Sequence, residues 1–347
     1  MEFDSSHKQE QKDTKEKDMK NNVKGKEEVG NNQEQKDTNG KEEENVVPMK
    51  YGQHVSSSGS LVDVLENAWK KGQTIVQIFL GSKLSHNRRK LNEVEKKNIR
   101  TKLREREMKI VSHYPYVLNM ATDNCNLKGL QDELNTMSSI GGRVVVHTGS
   151  ATFGTIENRK LNDRNRKIWE EQWKKGCNNL IKHVKSLDLS CAEKYNVKHP
   201  LLLEPPAGEG KKLLYTYEQI KYVFDQCPKE VGFCLDTCHF FAAGLSKFDT
   251  SDSIKELFDS VSSSIGGIEK LELIHFNDSQ NPFKSLKDDH EDIGIGYIWG
   301  QSNTFVGLTS FWAFCFEKKI DIIAEVESDH NMKVMNKLQK LTLKRRK

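Results

Sequence analysis

The sequence predicts one α/β domain, a single (β/α)8 TIM barrel, preceded by a disordered polar N-terminal tail. Three observations lead there. After Pro48, eight short β-branched or apolar runs recur along the chain; helical patterns separate them; and together they occupy about 290 residues, the size of one such barrel.

The runs are YGQHV (51–55), TIVQIFL (74–80), KIVSHY (109–114), RVVVHT (143–148), PLLLE (200–204), VGFCLD (231–236), LELIHF (271–276) and IDIIAE (320–325). Apolar residues at helical spacing place helices over 61–71, 161–195, 215–226, 251–265 and 309–318, and 93–108 reads as a charged amphipathic helix on the outside. The alternative is a doubly wound open sheet. That fold usually carries a glycine-rich fingerprint after its first strand, and GQHVSSSGS is not one.

The stretch 1–48 has 9 lysines against 13 acidic residues, almost no aromatics and no apolar periodicity, so it cannot bury enough surface to fold alone. It accounts for an apolar fraction of only 35% in the 347-residue chain. The barrel is assigned to 49–347, with a basic end from about 339 expected to fray; it holds 45 basic and 37 acidic residues. That balance suits a polyanionic partner without excluding an ordinary soluble enzyme. No apolar run approaches the ~20 residues that span a bilayer, and the N-terminus lacks a secretory core, so an intracellular protein with no membrane partner is expected. Seven cysteines (125, 177, 191, 227, 234, 238, 315), odd in number and scattered, read as reduced thiols. Cys234 and Cys238 lack a second close pair for a four-cysteine zinc site and read as core or near-site thiols.

The chemistry is written at the strand ends. A barrel gathers its active site at the C-terminal face of its strands, and nearly every run ends in a metal-ligand type: His54, His113, His147, Glu204, Asp236, His275 and Glu325. The second run ends instead in Phe79 and Leu80. His239 and the pair Asp288 and His290 lie just beyond strand ends. Any one of these histidines is readily a hydrogen-bonded core residue. Gathered in one mouth, so many ionisable groups are costly without cations, which points to a multi-metal hydrolase. Imidazole and carboxylate suit zinc and tolerate manganese or iron. The histidines at 7, 86, 183, 199 and 330 carry no such signal.

HTGS at 147, E-x-x-AG-x-G at 204, CLDTCHFFAAG at 234, HFND at 275 and D-x-H-x-x-x-G-x-G at 288 follow in this order. With these, the chain from about Tyr51 to Leu338 resembles the endonuclease IV-type apurinic/apyrimidinic (AP) endonucleases, AP endonuclease family 2. The resemblance implies three zinc ions: one on His113, His147 and Glu204, a second on Glu204, Asp236, His275 and Glu325, and a third on His239, Asp288 and His290. Glu204 and Glu325 would also orient the attacking water, while the metals lower its pKa and stabilise the leaving oxygen. It further implies base-excision repair: cleavage of duplex DNA 5′ to an abasic site, leaving a 3′-hydroxyl and a 5′-deoxyribose phosphate; a monomer is expected. A nucleotide without its base is cheap to extrude. Tyr116 matches a position that inserts into DNA, or else packs on the barrel rim. His54 matches no ligand position and is expected to be structural or to stand behind the ligands.

The departures lie on the rim. In GSKLSHNRRKL the basic wedge has no firm counterpart; Lys83, Arg88 and Arg89 are candidates for DNA contact, or a solvated charge run. Asp289 stands where the family commonly has arginine, GIG replaces GEG at 294–296, and Pro205 and Pro206 stiffen the turn after Glu204. Two other functions compete. A sugar isomerase or epimerase of the xylose-isomerase-like barrels would need only the Glu204, Asp236, His275, Glu325 quartet. A non-catalytic abasic-DNA-binding module would keep the barrel without cleavage.

Overall fold

The computed structural model describes residues 48–301 and 303–345. The tail expected to be disordered lies outside them, except for Pro48. Eight parallel strands close a barrel: β1 (Tyr51–His54), β2 (Ile75–Ile78), β3 (Lys109–His113), β4 (Arg143–His147), β5 (Leu201–Glu204), β6 (Val231–Asp236), β7 (Leu271–His275) and β10 (Asp321–Ala324). Each falls inside one of the eight predicted runs, and β1 pairs with both β2 and β10 to complete the ring. These strands are rich in Val, Ile and Leu because both faces are covered. Ile75, Val111, Val145, Leu202, Cys234, Leu273 and Ile323 fill the interior, and a larger shell packs the helices outside. Gly52 is required on β1, since a Cβ there would lie 1.9 Å from the Ile75 carbonyl oxygen.

The outer layer comprises α1 (Leu61–Lys70), α2 (Glu93–Glu105), α3 (Lys128–Ser139), α4 (Arg166–Ser186), α5 (Cys191–Tyr195), α6 (Tyr217–Phe224), α7 (Thr237–Ala243), α8 (Ser251–Ile265), α9 (Phe305–Lys318) and α10 (Asp329–Arg345). Caps explain several boundaries. Asn92 and Glu95 form a capping box on α2, and Thr250 and Ser253 one on α8. The helix expected over 161–195 is two helices. Leu187 turns extended, Asp188 accepts from the Ser190 N–H at 3.0 Å, and Gln131 takes the Asp188 N–H, so the chain finds better partners outside the helix. The basic end continues α10 to Arg345.

One insertion shapes the site. After β7 the chain forms a small antiparallel ribbon, β8 (Asp278–Ser279) with β9 (His290–Glu291), which the strand count did not anticipate. Among the described residues, no helix is long and apolar enough to cross a membrane.

Candidate metal centre

The barrel register sets the site. His147 stands beside Glu204 in the β4–β5 pairing, and a register shift at Phe233 and Cys234 brings Asp236 beside His275 in the β6–β7 pairing. Asp236 also caps α7: its Oδ1 accepts the His239 N–H at 3.0 Å, which fixes His239 one turn on and leaves Oδ2 for the mouth. The β8–β9 ribbon carries Asp288 and His290 back over the same opening.

Nine side chains meet there. His113 Nε2 lies 3.0 Å and His147 Nε2 3.6 Å from Glu204 Oε2, while His275 Nδ1 lies 2.8 Å and His239 Nδ1 3.6 Å from Glu204 Oε1. His239 Nε2 and His290 Nε2 are each 3.0 Å from Asp288 Oδ1. His275 Nδ1 is 3.5 Å from Glu325 Oε2 and 3.9 Å from Asp236 Oδ2, and His290 reaches both of those carboxylates, at 3.6 and 3.5 Å. Donor atoms cluster within 4.8 Å in the sets His113–His147–Glu204, Glu204–Asp236–His275–Glu325 and His239–Asp288–His290. Those are the three groupings the resemblance implies. Cys234 and Cys238 border the site, each completing a further set with a carboxylate and a histidine, and both are buried.

Hydrogen bonds behind the nine decide which atoms face inward. Tyr114 O takes His113 Nδ1 at 2.8 Å and Pro205 O takes His239 Nδ1 at 2.9 Å, so both rings present Nε2. Pro205, one of the departures from the family pattern, thus serves through its carbonyl. Gln77 Oε1 accepts from His275 Nε2 at 2.8 Å, which turns Nδ1 inward, and its amide donates to Glu325 Oε1 at 2.8 Å. Asn277 donates to Asp236 Oδ2 at 2.6 Å and to Glu325 Oε2 at 3.3 Å, and accepts the Glu325 N–H. His54 sits behind Gln77, 3.2 Å from its amide nitrogen, and burial lowers its pKa to about 4. It is not among the nine.

Asp278 holds the inserted loop. Its buried carboxylate accepts the N–H groups of Ser279, Gly294, Ile298 and Trp299 at 2.8, 2.9, 2.8 and 3.2 Å. Gln77, Asn277 and Asp278 were not read from the sequence as site residues. Gln77 was the most legible, a lone amide in an otherwise apolar strand.

The electrostatics describe a site short of positive charge. Burial opposes ionisation of Glu204, yet His275 and His147 hold its carboxyl well below the usual range. Burial likewise opposes ionisation of Glu325, and His275 brings its pKa down to about 2. Asp236 is pushed up by burial. Burial works against charging His239, His275 and His290; the surrounding anions, Asp236 first for His239 and His290, overcome it and raise all three, His290 to about 9. His147 is held neutral by burial, near 3. His239 Nε2 and His290 Nε2 crowd the same Asp288 oxygen at 3.0 Å, and His147 Nδ1 is buried without a hydrogen-bond partner. Five imidazoles and four carboxylates, with imidazole nitrogens sharing carboxylate oxygens, fit divalent cations.

The rim candidates separate. Tyr116 is half-exposed above the mouth, its ring 5.3 Å from His113, 5.4 Å from His147 and 5.9 Å from Phe79. Lys83 is exposed. Arg88 turns inward, contrary to its place among the DNA-contact candidates. It donates to the carbonyls of Ser82 and Ser85, pairs with buried Glu133 at 3.5 Å and keeps 5% of its side chain exposed. Arg89 is spent on the Gly59 carbonyl and Glu95. Of the other histidines, His7 lies outside the described residues; His86, His183 and His330 bond Tyr114, Met120 and Ile293, and His199 pairs with Glu272.

Residues 65–305 match the family model described as a xylose isomerase-like TIM barrel, AP endonuclease family 2, a span that holds all of the nine except Glu325. The "Probable endonuclease 4" of Clostridium botulinum (strain Alaska E43 / Type E3) is 31% identical over 259 residues, 72% of this chain and 84% of that protein. The chain belongs to the endonuclease IV-type AP endonuclease family. The crystal structure of endonuclease IV from Thermus thermophilus superposes with a TM-score of 0.65 at 24% identity, covering 84% of this chain and 99% of that one. The D-psicose 3-epimerase of Clostridium cellulolyticum H10 shares the fold at a TM-score of 0.52 and 12% identity, over 85% of this chain and 99% of its own.

Proposed function

We propose that this chain is a zinc-dependent phosphodiesterase of base-excision repair, which hydrolyses the bond 5′ to an abasic site in duplex DNA through a three-metal centre. One observation carries the reading: three donor sets interlock at one mouth, and the His239–Asp288–His290 set lies outside the quartet that a sugar epimerase would need. The relatives' name, "Probable endonuclease 4", supports the same class of reaction.

His113, His147 and Glu204 would hold one metal, Glu204, Asp236, His275 and Glu325 a second, and His239, Asp288 and His290 the third. Bound there, the metals would supply an activated water at neutral pH and charge for the leaving oxygen. The residues do the rest. Glu204, completely buried, offers one oxygen to each side and ties the first two sets together. Glu325 faces the opening with its Oε1 fixed by Gln77 and its Oε2 held near Asn277, so it can accept a proton from water in a set direction. Tyr116, over His113 and His147, would fill the duplex where the abasic sugar leaves it, with Lys83 on a backbone phosphate.

The test is nicking of a duplex with a single abasic site. Incision should leave a 3′-hydroxyl, and Asp288→Ala with His290→Ala should lower both metal content and rate. Full nicking and unchanged metal content in that variant would overturn the third metal set, whereas a wild type that never nicks, with a metal content that variant leaves unchanged, would favour the quartet alone and with it the epimerase reading.

A further inference from the structure

The C-terminal helix carries a charge pattern that fold and metal centre leave unused. α10 packs Asn331, Met332, Met335 and Leu338 inward. Its outer face presents Lys333, Lys337, Lys340 and Lys344, spaced at i, i+4, i+7 and i+11, all exposed and lining one shallow depression with Asn336 and Leu341. After Asp329 the helix holds no acidic residue through Arg345. None of the four lysines takes part in an ion pair among the described residues.

Such a stripe is costly to keep. Like charges three and four residues apart on a helix destabilise it by about 0.2–0.5 kcal/mol per pair, and this face holds three such neighbours in a row. The helix dipole rewards Lys344 and Arg345 in the last turn but gives nothing to Lys333 and Lys337, two to three turns earlier. The charged helix α2 behaves differently: Lys96 pairs with Glu93, and Lys102 with Glu66 and Glu105. The stripe's repulsion is relieved by a polyanion whose charges repeat at short intervals. From Lys333 to Lys344 the helix rises about 16 Å, about five steps of 3.4 Å along one DNA strand. α10 also starts at the site: Glu325 precedes it by four residues, and Asn331 takes the Ile293 N–H of the inserted loop at 2.8 Å.

We propose that this lysine stripe is a second DNA contact, which binds the sugar–phosphate backbone of duplex DNA outside the metal pocket. The choice of DNA as the polyanion rests on the proposed function. The stripe would hold the enzyme on undamaged duplex through counterion release, without reading sequence.

The test uses the full metal-loaded chain and an intact duplex of about 40 base pairs, with binding followed by anisotropy from roughly 50 to 300 mM KCl. Joint substitution of Lys333, Lys337, Lys340 and Lys344 by glutamine should shrink the log–log salt slope by about 3.5 and weaken binding at low salt, whereas four arginines should keep the slope. Metal content and helical circular dichroism report folding; if the fourfold variant does not fold, Lys333→Gln with Lys337→Gln should lose about half as much slope. An unchanged slope in a folded glutamine variant overturns the proposal. A chain that nicks abasic DNA with an unchanged slope loses the stripe and keeps the function. A chain that loses slope but never nicks keeps the stripe and loses the function.

Discussion

Replacing Asp278 tests whether the loop that carries Asp288 and His290 is held from behind. The carboxylate is fully buried and accepts four backbone N–H groups; those of Gly294, Ile298 and Trp299 have no other partner. Asp278→Ala leaves these donors buried and unpaired at about 1–3 kcal/mol each, so a loss of roughly 3–6 kcal/mol is expected after partial relaxation. Asp278→Asn is the sharper variant. Its single oxygen can keep the bonds that Oδ1 makes to Ser279 and Ile298, but its amide nitrogen then faces the N–H groups of Gly294 and Trp299. About half the alanine penalty should result. Because β9, which starts two residues after Asp288 and holds His290, pairs with Asp278's own strand, the damage should concentrate on the set His239–Asp288–His290. Urea unfolding and metal analysis after gel filtration measure both effects: the asparagine variant should lose stability and about one metal per chain. Wild-type stability with full metal content would refute this role.

Three further outcomes are expected. Arg88→Met should cost up to about 1.4 kcal/mol more at pH 8 than at pH 6, because burial raises Glu133 to about 7, so the buried pair it breaks is ionised at pH 8 and largely protonated at pH 6; Lys83→Gln should leave the unfolding midpoint unchanged while raising KM, and the opposite pattern would restore Arg88 as a DNA contact. His290 in the metal-free chain is raised to about 9, so metal must displace its proton at neutral pH; affinity in a chelator competition should rise about tenfold per pH unit from 7 toward 9 for that proton, and a flat profile would contradict it. By the same shift, His290 stabilises the metal-free chain fully below pH 6.5, and that stability fades as pH climbs through 9, as a pH series of urea midpoints would show.

Much of the barrel was legible because two-sided burial writes itself into sequence. A short β-branched run such as RVVVH suits a strand covered on both faces, and the eight runs and β1 to β7 with β10 coincide. The nine clustered residues were legible because strand ends converge and the motifs beyond them repeat a family pattern. What escaped depends on partners distant in the chain. Gln77 acquires its role from His275 and Glu325, about 200 and 250 residues away. Asp278 matters because a ribbon folds back on it, and β8 and β9, two residues each, are too short to leave a periodic signal. Arg88 looks like Arg89 in sequence; only the pocket around Glu133 turns it inward. The break at Leu187 came from side-chain competition by Asp188 and Gln131, which helix periodicity does not register.

The most direct measurement is metal content of the purified chain together with incision of a duplex holding one abasic site, with and without chelator, for the wild type and Glu325→Gln. Three zinc ions per chain are expected, with nicking that chelator abolishes and zinc restores, and a rate at least about a thousandfold lower in Glu325→Gln. One or two metals with no nicking, or nicking that survives both chelator and the substitution, would contradict a three-metal phosphodiesterase at this mouth.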